Sequence, residues 1–538
     1  MVTDGPGRPS ALTYNGELYN YLDLKRDLER EGVQFTTRSD TEVMLAALRL
    51  WGMGAVRHFD AMFAFGFYDA ARRELLLGRD IFGEKPLYFV DRPDYFAFAS
   101  ELHALTRLPG LDHVVTLDAI ASFLSFQYVP APGTIYKDIR KLPPGHVLRL
   151  GDDGLYATSP YFTFKTSNKR VSGRSLDDLA DELEAVLITA VDRRLISDVP
   201  LGAFLSGGVD SSTVVAVVRK KLGLPLRTFS IGWSDRADSE HFDAAEIARH
   251  LGTDHREQVL QGYPPDLGRH IASVLDEPNG DSSCVPTFLV SRLARETVTV
   301  ALSGDGGDEL FGGYGRYFNT VDEDDRKRAG DRDLDWWSAG EIYISSRMLV
   351  FADDSLKELV GFMPPGLTSR LESMRSTING ESRPLINVLR EVDAQTYLPG
   401  AVLAKVDRMS MQHSLEVRAP LLSLDMAKFA MGLAGEDCYT AGHSKRVLKC
   451  LASRYLPAEW MHRPKRGFGL PTDLWSKEKL LPPLTALLLS EDGRLAEWID
   501  RKRLVAYIEK LGNEFHAYHA WSLFILENWL RTHPAVAG

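Results

Sequence analysis

The chain is 538 residues long, more than one hydrophobic core usually organises, so we expect two or more domains. Its formal net charge of −11 argues against nucleic acid as a partner and favours an enzyme that acts on small molecules. Three cysteines, Cys284, Cys438 and Cys450, are too few for a disulfide framework, and no apolar run approaches a membrane span. We therefore expect a cytoplasmic protein with no membrane partner.

The first 160 residues alternate short apolar runs with polar turns, a pattern typical of a sheet-rich domain with a few helices. The first apolar run reaches an Asn15-Gly16 pair, which taken alone predicts a hairpin turn. Two helices are predicted next, one over 21–31 and one from a polar cap at 38–42 through Trp51. Further strands are predicted at 62–69, 74–80, 82–89, 96–101 and 147–150.

In the polar and basic stretch 165–173, apolar residues do not recur at the spacing of a helix or a strand. We place the domain boundary there. The predicted domains are therefore 1–160 and 175–538. The second begins with a helix from about Ser175 to Arg194, because its leucines recur with helical spacing.

The second domain then presents a loop of small and polar residues, S-G-G-V-D-S-S at 206–212, between an apolar run and a helical pattern. A strand that leads through such a loop into a helix points free N–H groups at an anion, and Gly207 and Gly208 allow close approach. A carboxylate there, Asp210, makes sense if it holds Mg²⁺ bound to phosphate oxygens. The spacing is not that of a Walker A loop. The alternative is a turn that merely connects strand to helix.

A second buried strand is predicted at 227–233 and a third at 297–302, with helical patterns between them. This order implies a parallel sheet with crossover helices, which binds ligands beyond the carboxyl ends of its strands. The third strand runs into S-G-D-G-G-D at 303–308, where Asp305 and Asp308 need a cation or an ammonium to be tolerated together. A solvated acidic turn is the alternative.

Three later segments leave two interpretations open, and the first interpretation of each is what a family resemblance implies. Asp276 and Glu277 are either near the nucleotide or simply cap a helix. The charged segment 398–422 either lines an acceptor pocket and an ammonia route or locks helices together through ion pairs. A basic loop around Lys465 either stabilises a leaving pyrophosphate or is solvated. The last helix, 515–530, is predicted to be core.

These motifs, with N-G-E at 15–17 and S-D-T-E at 39–42, resemble the glutamine-hydrolysing asparagine synthetase B family. In that family a class II glutamine amidotransferase domain is fused to a PP-loop ATP pyrophosphatase domain. The resemblance implies an α+β part followed by an α/β part: an incomplete Ntn-type αββα domain, then a parallel-sheet domain with a helical C-terminal part.

The resemblance also implies a set of site residues. Those that contact ATP are Leu205, Ser206, Gly207, Gly208, Asp210, Ser211, Ser212, Ile231, Ser303 and Gly304. Those that bind glutamine are Asn15, Gly16, Glu17 and Asp40. Mg²⁺ is held by Asp210 and Asp308, and the catalytic residues are Asp305 and Lys465.

The implied reaction is ATP-dependent formation of an amide through an acyl-adenylate, from aspartate and glutamine-derived ammonia. Asp305 favours this over ring closure, since the related β-lactam synthetases carry tyrosine there. Ser423 stands where relatives have aspartate, which weakens the claim to a standard acceptor site. Another carboxylate, in a sugar acid or a peptide, is therefore an alternative, as is a non-catalytic nucleotide-binding relative. Whether the protein is a homodimer is left open.

The start of the chain departs from the family, in which a nucleophilic cysteine follows the initiator methionine. The first strands and an arginine for the glutamine carboxylate are missing too. We expect a start codon assigned too late, because loss of strands exposes apolar surface and unpaired edges. Natural truncation, with free ammonia as the substrate, is the alternative. As printed, the chain is expected not to hydrolyse glutamine.

Overall fold

Residues 10–160 form two antiparallel sheets and four helices. The computed structural model describes residues 1–2, 9–167, 174–234, 239–261, 265–330, 337–380, 382–463 and 476–538. The first sheet has the strand order β1-β2-β3-β8-β9 and the second has the order β5-β4-β7. The elements are β1 (Ser10–Leu18), α1 (Tyr21–Arg30), α2 (Asp40–Trp51), β2 (Ala61–Asp69), β3 (Glu74–Arg79), β4 (Tyr88–Arg92), β5 (Tyr95–Ala99), α3 (Leu102–Leu105), β6 (Val114–Val115), α4 (Leu117–Phe126), β7 (Ile139–Lys141), β8 (His146–Leu150) and β9 (Tyr156–Pro160).

Alternate side chains of β2 build two different cores, as the period of a strand requires. Phe63 and Phe65 pack with Leu28 and Leu48 of the helices α1 and α2. On the other face, Ala64 belongs to a core shared with the second sheet. The helices thus lie on one face of the first sheet, and the second sheet lies on the other.

The hairpin predicted at Asn15-Gly16 is wrong, because β1 runs straight through this pair to Leu18. Its partner β2 is antiparallel over the whole length, with Asn15 opposite Ala64 and Gly16 opposite Phe63. A Cβ at Gly16 would lie 2.0 Å from the carbonyl oxygen of Met62, so the glycine serves close strand packing instead of a turn.

The strand predicted at 82–89 begins only at Tyr88. The preceding residues wrap around the buried carboxylate of Asp80, which accepts hydrogen bonds from the backbone N–H groups of Phe82, Glu84 and Lys85 at 2.9 to 3.2 Å. An apolar run can therefore be a loop when a buried acid satisfies its backbone.

The second part of the chain contains the predicted parallel sheet, with the strand order β12-β11-β10-β13-β14. Its elements up to β14 are α5 (Leu176–Leu195), β10 (Leu201–Phe204), α6 (Val209–Ala216), β11 (Arg227–Trp233), α7 (Glu240–Leu251), β12 (Asp254–Leu260), α8 (Pro265–Val274), α9 (Cys284–Arg295), β13 (Val300–Leu302), α10 (Gly307–Phe311), α11 (Gly315–Arg328), α12 (Ala339–Tyr343), α13 (Asp353–Val360), α14 (Pro365–Asn379), α15 (Leu385–Gln395), α16 (Ala404–Met411) and β14 (Glu416–Arg418).

The C-terminal part is mainly helical. Its elements are α17 (Leu424–Met431), α18 (Gly435–Cys438), β15 (Tyr439–Thr440), β16 (His443–Ser444), α19 (Arg446–Ala452), α20 (Lys477–Leu488), α21 (Arg501–Asn513), α22 (Ala517–Thr532) and β17 (Val536–Ala537). The prediction that the last helix is core is confirmed, since Trp521 and Trp529 are fully buried. Within the described part of the chain, every helix is too short or too polar to cross a bilayer.

Buried ion pairs join the two parts of the chain. Lys85 Nζ lies 2.8 Å from Asp407 Oδ1, and both side chains are less than a tenth exposed. Arg408 donates to Asp276 at 2.8 Å and to the carbonyl oxygen of Ser100 at 2.8 Å. In the segment 398–422, Asp407 and Arg408 therefore lock helix α16 against the first domain.

Asp276 and Glu277 also belong to this contact between the domains. Asp276 accepts from the backbone N–H of Leu102 at 2.7 Å. Glu277 accepts from the backbone N–H of Ile135 at 2.7 Å and pairs with Lys141. The structure thus favours a structural role for both acids.

Replacing Lys85 by methionine is expected to lower the free energy of unfolding by about 3–5 kcal/mol, because the buried carboxylate of Asp407 loses its closest cation. The double variant Lys85→Met/Asp407→Leu should recover most of that loss, since it removes both charges. Urea denaturation followed by fluorescence measures the effect. A double variant no more stable than the single one would contradict the expectation.

Candidate active site

A cavity of about 1050 Å³ opens at the carboxyl ends of β10 and β13. Two loops that follow these strands, 205–211 and 303–309, line it. Eight of the ten predicted ATP contacts are in the lining: Leu205, Ser206, Gly207, Gly208, Asp210, Ser211, Ser303 and Gly304. The other two, Ser212 and Ile231, are buried behind the wall. The topology of a parallel sheet explains this convergence, because its strand ends meet along one edge.

The first loop leads directly into helix α6, which begins at Val209 with Gly208 as its cap. The serines close the loop on itself: Ser206 N donates to Ser211 Oγ at 3.2 Å, and Gly208 N donates to Ser206 Oγ at 3.3 Å. Gly207 has φ +81°, and a Cβ there would lie 2.7 Å from Asp243 Cβ. The loop thus presents the start of a helix to the cavity, an arrangement suited to phosphate.

Two carboxylates of the site meet on one ammonium group. Lys445 Nζ lies 2.5 Å from Asp210 Oδ2 and 2.6 Å from Asp308 Oδ1, and its side chain is 7% exposed. Burial alone would lower the pKa of Lys445, but the neighbouring carboxylates raise it well above its ordinary value. Sequence reasoning missed this lysine, since a lysine beside the first turn of a helix is a common surface pattern.

Asp210 and Asp308 could also hold Mg²⁺. A Cβ at Gly307 would lie 2.4 Å from Asp210 Cγ, so only glycine lets the second loop approach this carboxylate so closely. Among the described residues there is no group of three acids, histidines or cysteines that could hold a metal. Two carboxylates fit Mg²⁺ all the same, because this ion is usually bound by one or two carboxylates together with substrate phosphates.

Asp305 lies where the large cavity meets a second, small cavity of about 20 Å³ that it also lines. Burial raises the pKa of Asp305, and the ammonium of Lys405 opposes that rise. Lys405 donates to Ser283 Oγ at 2.7 Å and to Asp281 Oδ2 at 3.3 Å, and all three residues line the large cavity. Part of the charged segment 398–422 therefore does face the site, through Lys405.

Ser423, which stands where the family has aspartate, caps helix α17 by accepting from Met426 N at 3.2 Å. It does not appear in the lining of the large cavity. The departure from the family pattern at this position therefore changes a helix cap and leaves the cavity wall unaffected.

The four residues predicted to bind glutamine lie together in the first domain. Asn15, Gly16 and Glu17 are on β1, and Asp40 Oδ2 accepts from the backbone N–H of Leu18 at 3.1 Å on the same strand. Asn15 Nδ2 donates to Ser100 Oγ at 3.0 Å. Burial raises the pKa of Glu17 to about 7.

Lys465, the predicted contact of the pyrophosphate, lies outside the described residues. Just before it, Arg463 lines the large cavity and donates to Asp243 at 2.9 Å and to Glu246 at 2.5 Å.

Comparison with known proteins gives two domain families. The asparagine synthase family matches residues 182–531, and the glutamine amidotransferase domain family matches residues 5–162. Asparagine synthetase [glutamine-hydrolyzing] 1 of Bacillus subtilis (strain 168) is 33% identical over 87% of this chain and 77% of its own. A putative asparagine synthetase [glutamine-hydrolyzing] of Mycobacterium tuberculosis (strain H37Rv) is 31% identical over 96% of this chain and 84% of its own.

One similar solved structure is a weak match. NMN synthetase from Francisella tularensis matches with a TM-score of 0.21 and 14% identity, over 41% of this chain and 94% of its own. The family is therefore decided by the sequence matches, one of which spans more than half of the chain. The chain belongs to the asparagine synthase family of ligases and carries a glutamine amidotransferase domain ahead of the synthase domain.

Proposed function

We propose that this enzyme forms asparagine from aspartate, ATP and ammonia through an acyl-adenylate, with AMP and pyrophosphate as products and with glutamine as the source of ammonia in its family. One observation carries the proposal: the phosphate-type loop, the pair Asp210 and Asp308 with Lys445, and Asp305 converge on one cavity. The names of the relatives support the choice of aspartate and glutamine. The proposed domains are residues 1–160 and 175–538.

Adenylation is needed because a carboxylate carries negative charge and lacks a good leaving group. The triphosphate would lie on the start of helix α6, where backbone N–H groups favour an anion. Mg²⁺, held by Asp210 and Asp308, would neutralise charge on the phosphate oxygens. Lys445, released from the two carboxylates, would stabilise the leaving pyrophosphate, and we expect Lys465 to be a second cation there.

The acceptor would bind on the side of the cavity that holds Lys405, Asp281 and Ser283. A buried ammonium such as Lys405 is suited to hold a carboxylate of the acceptor, and Asp281 is suited to its α-ammonium. Asp305 lines the same cavity as this cluster, and the ammonium of Lys405 lowers the pKa of its carboxyl group. Its carboxylate is therefore suited to take the proton that the attacking nitrogen loses.

The small cavity supports passage of ammonia between the domains. Met62 and Glu84 contribute to it from the first domain, and Asp305, Val417 and Ala419 contribute from the second. Met62 is the strand partner of Glu17, a predicted glutamine contact. An ammonia molecule entering on the side of Met62 would leave beside Asp305, where the adenylate forms.

Exchange of radiolabelled pyrophosphate into ATP tests the proposal across candidate acids, with magnesium present. We expect exchange with aspartate and none with sugar acids or peptides. Exchange with one of those acids but not with aspartate would overturn the choice of acceptor. Absence of exchange with every acid, despite ATP binding, would overturn the proposed chemistry altogether.

A further inference from the structure

A single buried arginine of the synthase domain contacts both ends of the proposed reaction path. The backbone oxygen of Arg418 accepts from Ser303 N at 2.9 Å, at the start of the loop that carries Asp305 and Asp308. Its guanidinium reaches the other way, into the first domain, where Nη2 lies 3.6 Å from Glu17 Oε2. The side chain is 4% exposed.

The guanidinium of Arg418 is held from three directions. Nη1 donates to the carbonyl oxygens of Arg194 and Ile196 at 2.9 and 2.7 Å, and Nε donates to Glu416 Oε1 at 2.6 Å. Nη2 thereby stays directed at Glu17, with the ring of Tyr19 centred 5.6 Å from the guanidinium carbon. A planar group with this many fixed contacts has little freedom to turn elsewhere.

Three acidic side chains near Glu17 act against its ionisation. Asp40 on α2, Glu416 on β14 and Asp198 in the segment before β10 all raise the pKa of Glu17, after burial as the largest cause. The positive charge of Arg418 opposes them and lowers the pKa of Glu17. The charge on Glu17 near neutral pH therefore depends on an arginine from the other domain.

We infer that Arg418 is a positioning residue of the glutamine site, supplied across the domain boundary, which holds Glu17 in place and in its carboxylate form. This inference rests on the proposed function, because it takes Glu17 to be a glutamine contact. A carboxylate accepts hydrogen bonds from the N–H groups of glutamine, whereas a protonated carboxyl group is a poorer partner. Glutamine should then bind well above the pKa of Glu17 and more weakly below it.

The test measures the dissociation constant of glutamine by equilibrium dialysis with the full chain, over about two pH units on either side of neutrality. Arg418→Gln should raise the pH midpoint of binding by at least about one unit and weaken binding at neutral pH about tenfold. Arg418→Lys, which keeps the charge, should restore part of the affinity.

Glu416→Gln provides a matched variant with the opposite effect. It removes a negative charge beside Glu17 and leaves the arginine in place, so the pH midpoint should move downwards. Glu17→Gln should bind with no titration in this range. A merely structural role of Arg418 predicts neither the opposite shifts nor the flat profile.

Two failures are distinguishable. If the unchanged chain binds no glutamine at any pH, the proposed glutamine site is overturned together with this inference. If it binds glutamine but the midpoint is the same in Arg418→Gln, Glu416→Gln and the unchanged chain, only the role of Arg418 is overturned. Pyrophosphate exchange with aspartate, measured without glutamine, shows that each variant is folded.

Discussion

Replacing Lys445 by methionine is expected to lower the rate of ATP–pyrophosphate exchange about 10²- to 10³-fold. Methionine has a similar length but removes the ammonium that we place on the leaving pyrophosphate. In the structure this ammonium lies between Asp210 and Asp308, so the variant also brings two carboxylates together without a cation. The exchange rate at saturating ATP and aspartate is the measurement.

Arg446→Met is the matched control for this experiment. It removes the same formal charge from the next residue, whose guanidinium contacts Glu436 and Thr440 and which is not in the lining of the large cavity. The melting temperature provides a second readout that does not depend on activity. Mg²⁺ alone should raise the melting temperature of Lys445→Met more than that of the unchanged chain. In the variant the ion no longer competes with an ammonium for the two carboxylates. Equal exchange rates in Lys445→Met and Arg446→Met would contradict the role of Lys445.

Replacing Asp305 by asparagine is expected to lower the rate of amide formation about 10²- to 10⁴-fold. Asparagine keeps the shape of the side chain but cannot accept a proton, and Asp305 lies where the two cavities meet. Amide formation from aspartate, ATP and ammonium chloride measures the effect without the glutaminase. The pyrophosphate exchange rate, measured in parallel, shows whether adenylation or the attack of ammonia is slowed.

Asp305→Glu and Asp266→Asn complete this comparison. Glutamate keeps a carboxylate and should retain more activity than asparagine does. Asp266 lies on helix α8, and its side chain is 96% exposed. Asp266→Asn therefore measures how the loss of one negative charge outside the site affects the rate of amide formation. If Asp305→Asn were as active as Asp266→Asn, Asp305 would have no part in the reaction.

The candidate site was predictable where its signal is local. The loops 205–211 and 303–309 each carry glycines and acids at the end of an apolar run, and parallel strands bring such ends together. The residues that sequence reasoning missed or left undecided, Lys405, Arg418 and Lys445, are ordinary charged residues by type. What makes them notable is a partner more than a hundred residues away, as for Lys445 with Asp210.

The fold shows the same division. The helices α1, α2 and α5 and the strands β2, β3 and β11 follow from periodicity and caps, because those depend on neighbours within a few residues. The Asn15-Gly16 pair by itself predicts a turn. In the structure, β1 pairs with β2 over nine residues, and this pairing keeps Asn15 and Gly16 in an extended strand.

The sequence alone determined the family, the parallel sheet and the two acid-bearing loops, since each of these is indicated by short motifs of residues that are adjacent in the chain. Only the tertiary structure decided which cation meets Asp210 and Asp308, and that Glu17 of the first domain lies beside Arg418 of the second. The physical reason is that the charge and the pKa of a buried group depend on what surrounds it in space, and sequence spacing does not contain that information.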